Sequence, residues 1–375
     1  MIIYWSMMLW VPLIYFVYSM TNKKSVDLRD NDVDVFVQTK VPLVYAIVVF
    51  GYFIFWIGMR KYVFDTTQYI FTFESIPNNF SVAWSEIDWD SKGPFFTAYE
   101  VIFKCFISDN YTWWLMSIAI GSGLCLIHTL RKYSTDFFYS CFLFISLGTF
   151  IWMLNGMRQF VAVSILFLCC DLIKDGKFIK FLMLTIFVSQ IHTTALLMIP
   201  IYFVSRGKPW SGRVFGMVTS VVLICIFAEP FFTTVDKYTV GTAYEGERLL
   251  VEGDDGVHPL RVLLYSMPPL IAFFNRKKLE KYYSIYPILP ISINMSLICA
   301  MLYLVGMFTS GILVGRFPIY AELYDLILIP FLMKLCFDDN DRLTFISVTT
   351  IVLIIYFYLV YGELKYHSEL TGTIT

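Results

Sequence analysis

The chain has 375 residues, of which 58% are hydrophobic and only 15% are charged, with a net charge of −1. A soluble domain typically carries about 25% charged residues, so the composition excludes an ordinary soluble domain. The near-neutral charge offers no electrostatic footprint for nucleic acid, and we expect no nucleic-acid partner. The eight cysteines include no CxxC pair, which argues against a zinc site or a disulfide framework.

Apolar runs recur along the chain, and each approaches the ~20 residues that cross about 30 Å of hydrocarbon as a helix. The first run is followed by Lys23 and Lys24 and has no basic region before it, which predicts a retained span with an outside amino terminus. We predict an all-α, polytopic integral membrane helix bundle that forms a single domain over residues 1–375. About ten full spans are expected, at 2–20, 41–59, 111–130, 136–154, 157–173, 214–232, 261–275, 284–309, 317–336 and 343–361.

The run 178–204 does not fit a simple span, because Gln190 and His192 interrupt it. If it forms a hairpin of two short helices, the cytoplasmic loops hold 18 of the 28 lysines and arginines, whereas a single crossing divides them evenly. The excess of basic residues on the cytoplasmic side favours the hairpin, with His192 near an extracytoplasmic tip. Broken helices at membrane depth require surrounding protein or a water-filled cavity, so the hairpin also predicts a cavity.

The short run 94–108 carries Glu100 and Lys104. Their i,i+4 spacing places them on one face of a helix. We expect an amphipathic helix on the extracytoplasmic surface and not an additional span.

Several polar residues fall on the extracytoplasmic side in this topology, and ionisable groups at the membrane usually mark function. A structural role competes in each case: an arginine can extend to lipid headgroups, a histidine can bond a neighbouring helix, and an Arg–Asp pair can be a surface ion pair. The residues are Arg60 with Asp65, Arg158 with Gln159, His192, and Arg316.

Taken together, these residues suggest a particular chemistry. Arginines that face a cavity suit a phosphate or diphosphate, because the guanidinium is a planar fork of donors. A neutral histidine beside them could accept a proton from a hydroxyl nucleophile. The set therefore predicts transfer from a lipid-linked diphosphate to an alcohol, with arginines stabilising the leaving diphosphate. No second histidine or cysteine cluster accompanies His192, so we expect neither a metal nor a cofactor.

The segments GMRQFVAVSILF and KFIKFLMLTIFVSQIHTTALLMIPIYF resemble the EpsG-type family of bacterial exopolysaccharide proteins, which is related to the O-antigen polymerases. Two departures from the family pattern are Ile191, where phenylalanine is usual, and Val63-Phe64, where the family is glycine-rich. The residues that carry the resemblance are Arg158-Gln159 opening a helix, His192 further along, the upstream pattern Arg60, Asp65 and Tyr69, and the late pattern Arg316 and Tyr320.

The resemblance implies polymerisation of repeat units carried on undecaprenyl diphosphate, at the outer face of the bacterial cytoplasmic membrane. Donor and acceptor would both be undecaprenyl-diphosphate-linked glycans in membrane lipid, and a chain-length regulator and a flippase are candidate partners. The resemblance implies that Arg158 and Arg316 bind the diphosphate and that His192 is the catalytic base. The substrate-binding set it implies, which positions sugars or holds the arginines, comprises Gln159, Arg60, Asp65, Tyr69 and Tyr320.

Two other functions are compatible with the pattern. A flippase or transporter of lipid-linked oligosaccharides would also use broken helices and a basic cavity, although no matching second broken segment is evident. A membrane acyltransferase of surface glycans would also place a histidine beside a cavity. Its acyl donor would more naturally lie on the cytoplasmic side, opposite to the side predicted for His192.

Overall fold

The computed structural model describes residues 2–21, 40–226, 256–309, 314–368, 370 and 372–374. These residues are mostly helical, and they confirm the predicted all-α polytopic membrane fold. Shorter apolar helices occupy most of the other predicted spans. Among the described helices, those long and apolar enough to cross a bilayer are Ile2–Thr21, Tyr111–Tyr133, Ile288–Gly306 and Asp341–Tyr361.

Several helices begin at a side chain that accepts a hydrogen bond from the first turn, which satisfies an otherwise unpaired N–H. Asn110 Oδ1 accepts from Thr112 N (2.8 Å), and Asp136 Oδ1 accepts from Tyr139 N (2.9 Å). The α-helices are α1 (Ile2–Thr21), α2 (Leu43–Gly58), α3 (Thr66–Ser75), α4 (Phe80–Ser85), α5 (Pro94–Phe106), α6 (Tyr111–Tyr133), α7 (Phe137–Ser146), α8 (Met157–Leu168), α9 (Asp171–Lys174), α10 (Phe178–Ser189), α11 (Met198–Ser205), α12 (Gly212–Ile226), α13 (Pro259–Phe274), α14 (Arg276–Glu280), α15 (Ile288–Gly306), α16 (Ile319–Glu322), α17 (Asp325–Cys336) and α18 (Asp339–Tyr361). Short 3-10 helices cover Thr149–Met153, Thr193–Leu197 and Val314–Arg316, and strands β1 (Tyr366–Ser368) and β2 (Gly372–Ile374) form an antiparallel ribbon.

The chain forms two compact units, and the first contains Met1–Leu168, Ile186–Thr193 and Asp341–Thr375. Within it, α6 packs against α2 and α8, while α1 packs against α2 and α7. The segment between the second and third predicted spans folds onto this bundle, where Phe73 of α3 stacks on Trp114 of α6 with ring centroids 4.7 Å apart. Phe96 of α5 also packs against Trp114, so aromatic contacts fix both α3 and α5 on α6.

The second unit contains Cys169–Thr185 and Thr194–Asn340, and α15 is its central helix. Helices α11, α12, α13 and α17 pack around α15, most of which is buried. Asn294 Nδ2 of α15 donates to the carbonyls of Ser205 (2.9 Å) and Gly207 (2.6 Å). These bonds satisfy carbonyls left without partners where α11 ends. The prediction of one domain over residues 1–375 stays a prediction beside this division.

The run 178–204 is a pair of half-helices, as predicted. Helix α10 ends at Ser189, a 3-10 turn covers Thr193–Leu197, and α11 begins at Met198. The ring centroids of Phe181 in α10 and Tyr202 in α11 are 5.1 Å apart, so the two half-helices are in contact at the ends away from the tip. His192 occupies the irregular tip between them.

Three predicted spans are broken into two pieces. The span 136–154 is α7 followed by a 3-10 helix, because Gly148 adopts a left-handed φ of +79° and interrupts the helix. The span 157–173 divides into α8 and α9, and the span 317–336 divides into α16 and α17. The end of the predicted span 214–232 lies outside the described residues, which stop at Ile226 in α12.

The predicted helix at 94–108 is present as α5, but its charged residues do not form an exposed face. Glu100 is only 3% exposed, and Lys104 Nζ donates to two carbonyls of α3 at 3.0 and 2.7 Å. The exposed positions include the apolar Ile102 and Phe106. The i,i+4 spacing correctly grouped Glu100 with Lys104, but spacing cannot decide whether a face points to water or to protein.

Candidate functional site

Arg158 lies in the first turn of α8, half-buried among aromatic side chains. Its Nε donates to the Tyr69 hydroxyl at 3.2 Å. The guanidinium carbon lies 5.7 Å from the Tyr69 ring centroid and 5.9 Å from that of Phe96, within the range of cation–π attraction. These contacts hold the guanidinium in position while leaving part of it accessible.

Asp65 brings the start of α3 to the start of α8. Its Oδ2 accepts from the backbone N–H of Gly156 at 2.9 Å, and its backbone carbonyl accepts from Tyr69 N at 3.3 Å. Gly156 itself has a left-handed φ of +77°. A carboxylate that binds the turn before α8 therefore places Tyr69 beside Arg158.

The loop before Asp65 contains backbone strain. Tyr62 and Phe64 both have φ of +50°, a left-handed conformation that favours glycine. Phe64 lies in the segment where the family resembled by the sequence is glycine-rich. Non-glycine residues therefore adopt a glycine-like conformation in this loop, and the departure noted in the sequence still leaves Asp65 bonded to Gly156.

Arg60 is nearly inaccessible, at 2% exposure, and each nitrogen of its guanidinium donates to a protein acceptor. Nε binds Thr66 Oγ1 at 2.9 Å, Nη1 binds the Ile57 carbonyl at 2.7 Å, and Nη2 binds Met157 Sδ at 3.1 Å. Burial lowers its pKa to about 10, partly offset by the Asp65 charge, so Arg60 remains a cation at neutral pH. The structure excludes the surface ion pair considered from the sequence, because Arg60 is buried.

A polar pocket of about 390 Å³ opens beside Arg158 in the first unit. This volume falls within the range of small-molecule sites. Asp65, Tyr69 and Arg158 were singled out in the sequence for this kind of site, and the structure brings the three together. The lining residues are Asp65, Gln68, Tyr69, Thr72, Phe96, Thr97, Glu100 and Arg158.

Glu100 in this polar pocket is the functional candidate that sequence reasoning missed. Its Oε1 is buried and has no hydrogen-bond partner among the described residues. Burial raises the pKa of Glu100 to about 8, and the nearby Arg158 charge only partly opposes this shift. A carboxyl inside a short apolar run was the available signal, since such a group is costly to bury without a purpose.

The hairpin tip docks against the start of α5. Phe95 N donates to the Gln190 carbonyl at 3.0 Å, which fixes the tip at one point. A Cβ on residue 93 would lie 2.6 Å from the Ile191 carbonyl oxygen and 3.7 Å from Arg158 Nη1, so only glycine fits there. Gly93 thus permits the close approach that brings the tip beside Arg158.

His192 follows Ile191 at this tip, and its side chain is half-buried. Its backbone N–H donates to the Val188 carbonyl at 3.1 Å. The described lining of the polar pocket does not include His192. Gln159 is next to Arg158 in sequence but is 2% exposed and likewise does not line the pocket. The catalytic role of His192 and the substrate-binding role of Gln159 stay predictions.

Arg316 and Tyr320 belong to the second unit. Arg316 ends the 3-10 helix Val314–Arg316 and is half-buried. Tyr320, in α16, is 3% exposed, and its hydroxyl forms a 3.0 Å hydrogen bond with Thr194 Oγ1 at the start of the second hairpin arm. The roles predicted for Arg316 and Tyr320 also stay predictions.

A second cavity, the apolar groove, has a volume of about 360 Å³. Phe96 lines both this groove and the polar pocket. Helix α8 contributes Arg158 to the pocket and then, one and two turns further on, Val161 and Ile165 to the groove. The groove is lined by Phe95, Phe96, Tyr99, Ser117, Ile118, Gly121, Ser122, Cys125, Val161, Ser164, Ile165 and Ile191.

The described residues contain no cluster of three or more His, Cys, Asp or Glu side chains that could hold a metal ion. The expectation of a metal-free site stays a prediction. The side chains that line the polar pocket supply a guanidinium, two carboxyls and several neutral hydrogen-bonding groups, next to an apolar groove.

Fold and site define an integral membrane protein with a polar pocket adjoining an apolar groove. Residues 43–369 match the model of the EpsG family, and the chain belongs to that family. Comparison with curated proteins and with solved structures gives no match. The family is one of exopolysaccharide and O-antigen-type polymerases, so membership indicates a glycosyltransferase-like polysaccharide polymerase.

Proposed function

We propose that this protein polymerises oligosaccharide repeat units carried on undecaprenyl diphosphate, at the extracytoplasmic face of the bacterial cytoplasmic membrane. The observation that carries the proposal is the position of Arg158, at a polar pocket that shares Phe96 with an apolar groove. A lipid-linked sugar diphosphate needs these three environments side by side: apolar for the prenyl chain, cationic for the diphosphate and polar for the glycan.

In the proposed reaction, a hydroxyl of the acceptor glycan attacks the anomeric carbon of the donor. The bond between that carbon and the diphosphate oxygen breaks, and the electron pair leaves with the polyprenyl diphosphate. Arg158 stabilises the negative charge that develops on the leaving group. The hydroxyl proton passes to His192. The support for this assignment is that the preceding residue, Ile191, approaches Gly93 with its carbonyl oxygen, and that Arg158 Nη1 approaches the same glycine.

The remaining residues take supporting roles in this proposal. Asp65 and Tyr69 hold Arg158, as their hydrogen bonds indicate. Arg60 supports the loop that presents Asp65 and does not touch substrate, because its three guanidinium nitrogens are bound to protein. Arg316 is proposed as a second diphosphate ligand and Tyr320 as a substrate-binding residue, on the strength of the family resemblance. Gln159, which is buried and follows Arg158 in sequence, is assigned to positioning it.

The test is deletion of the gene followed by gel analysis of surface and lipid-linked glycans. A polymerase defect leaves single repeat units displayed outside and no ladder. Single units trapped inside would instead identify a flippase, and full ladders that lack an acyl group would identify an acyltransferase. Either of these two results contradicts the proposed polymerase.

His192→Ala tests the proposed base in the same assay. We expect the ladder to disappear while the protein remains at its normal level. His128 is an exposed histidine at the end of α6, and His128→Ala is the matched control with an unchanged ladder. A full ladder from His192→Ala would remove the assignment of the base and leave the polymerase proposal to the deletion result.

A further inference from the structure

The polar pocket is lined by more carboxyl groups than basic groups, which limits what it can bind. Asp65 and Glu100 are carboxyls, and Arg158 is the cation among the lining residues. A diphosphate placed deep in the pocket would lie beside both carboxyls, whereas at Arg158 it meets the guanidinium. The part of the pocket around Glu100 therefore suits an uncharged, hydrogen-bonding group.

The other lining groups have the same preference. Gln68 supplies an amide, and Thr72 and Thr97 supply hydroxyls. Each can both donate and accept, which matches the hydroxyl groups of a sugar ring. Glu100 Oε1 is buried at the pocket without a partner in the described residues, and a bound hydroxyl would satisfy it.

The order of environments along α8 indicates which sugar this is. Arg158, Val161 and Ile165 follow one another along one side of the helix, from polar pocket to apolar groove. In a lipid-linked donor the covalent order is prenyl chain, diphosphate, then first sugar. If the chain lies in the groove and the diphosphate at Arg158, the first sugar enters the polar pocket.

We propose that the polar pocket binds the sugar attached directly to the donor diphosphate, and that Glu100 hydrogen-bonds one of its hydroxyls. The inference rests on the proposed function and adds a residue and a substrate position to it. Burial keeps the Glu100 carboxyl mostly protonated at neutral pH, with a pKa of about 8, so that it can donate as well as accept. A neutral Glu100 also avoids repulsion of the diphosphate held by Arg158.

The experiment compares two ligands on the purified full-length protein in nanodiscs. One is undecaprenyl diphosphate, and the other is the same lipid carrying the native repeat unit, isolated from the deletion strain. For Glu100→Leu we expect about tenfold weaker binding of the glycan-bearing lipid and unchanged binding of the bare lipid diphosphate. Glu100→Gln keeps both hydrogen-bonding functions and should stay within about threefold of wild type on both ligands.

Two further variants keep the test decisive. Gln68 is exposed and lines the pocket, so Gln68→Trp fills the pocket without disturbing buried packing and should also weaken only the glycan-bearing lipid. Glu74→Leu makes the same change as Glu100→Leu at an exposed residue of α3 outside the described pocket lining, and it should alter neither affinity.

The inference is overturned if Glu100→Leu and Gln68→Trp leave the ratio of the two affinities at its wild-type value. Equal losses on both ligands would also overturn it, since they indicate a damaged fold or a diphosphate contact. Failure of the proposed function looks different: the wild type would bind undecaprenyl diphosphate no better than undecaprenol, or deletion would leave the ladder intact.

Discussion

Arg60 and Arg158 lie in the same compact unit and were both chosen from the sequence, but their surroundings differ. The Arg60 guanidinium is buried at 2% exposure and donates to three protein acceptors. The Arg158 guanidinium is half-buried, makes a hydrogen bond to Tyr69 through Nε, and lines a cavity. The comparison teaches that a buried arginine with all three guanidinium nitrogens bound to protein supports the fold, whereas an arginine that lines a cavity can bind a ligand.

Two buried carboxyls repeat the contrast. Glu322 is 1% exposed, and its two oxygens accept from the hydroxyls of Tyr265 (2.7 Å) and Tyr303 (2.8 Å). Glu100 is equally buried at 3%, yet its Oε1 has no partner in the described structure and lies at the polar pocket. Burial is nearly the same for both, so hydrogen-bond satisfaction, and not burial, separates the structural carboxyl from the candidate functional one.

The largest effect is expected at Arg158. Arg158→Lys keeps the charge but loses the planar fork, so polymerisation should fall by at least about 100-fold because a transition-state contact is lost. The ladder on a gel measures activity, and immunoblotting should show a normal protein level. Arg213→Lys, at an exposed position of α12, is the control and should leave the ladder unchanged. A normal ladder from Arg158→Lys would erase the distinction between the two arginines.

Gly93 tests whether the hairpin tip must lie close to Arg158. Gly93→Ala places a Cβ 2.6 Å from the Ile191 carbonyl, which is backbone and must move. We expect polymerisation to fall by about tenfold or more, since a displacement near 1 Å at a site is often this costly. Gly51→Ala in α2 is the matched control, because a Cβ there meets no atom within 4 Å. Equal activity of the two variants would show that the tip position does not matter.

Arg60→Lys should affect stability more than chemistry. Lysine cannot reproduce the three-way binding of Thr66, Ile57 and Met157, and a buried charge is left poorly satisfied. The expected loss is about 2–4 kcal/mol of unfolding free energy, seen as lower Tm in detergent and less protein in the membrane. Activity per amount of folded protein should stay near wild type. A stable but inactive variant would move Arg60 into the active site.

The most gradual effect concerns the pH dependence of stability. Burial raises the pKa of Glu100 from the ordinary 4.5 to about 8. Between these values the folded protein binds more protons than the unfolded chain, so the unfolding free energy falls as pH rises, by up to about 1.4 kcal/mol per pH unit. Glu100→Gln removes this dependence. The Tm of the variant minus that of the wild type should therefore rise from about pH 5 to pH 8, because only the wild type loses stability. A constant difference would contradict the buried, protonated carboxyl.

Much of the fold follows from the sequence, because bilayer-length apolar runs and basic flanks are local features. The hairpin at 178–204 was predictable for the same reason: Gln190 and His192 interrupt a run whose length and charge balance suit two half-helices. The breaks in three other spans were not predicted. At Gly148 the break depends on a left-handed φ that is one of several conformations available to any glycine.

The candidate site could be predicted only in part. Asp65, Tyr69 and Arg158 come together as their pattern suggested, because Asp65 precedes α3, Tyr69 lies in its first turn, and both are hydrogen-bonded to the start of α8. Spacing could not show that Glu100 faces inward, since periodicity defines a face and not its direction. The need for glycine at position 93 depends on a carbonyl about 100 residues away, which no local pattern reveals.

The ribbon of β1 and β2 ties the far end of the described chain to the junction that presents Asp65. Lys61 N donates to the His367 carbonyl at 2.7 Å, Arg60 pairs with Ser368 as an antiparallel bridge, and the Tyr366 hydroxyl binds the Trp56 carbonyl at 2.7 Å. An affinity tag or reporter fused directly after this ribbon would therefore lie close to the loop that presents Asp65. Truncation at the end of α18 would remove the hydrogen bonds that the ribbon makes to this loop. Assays of pocket variants are therefore better served by a label inserted elsewhere.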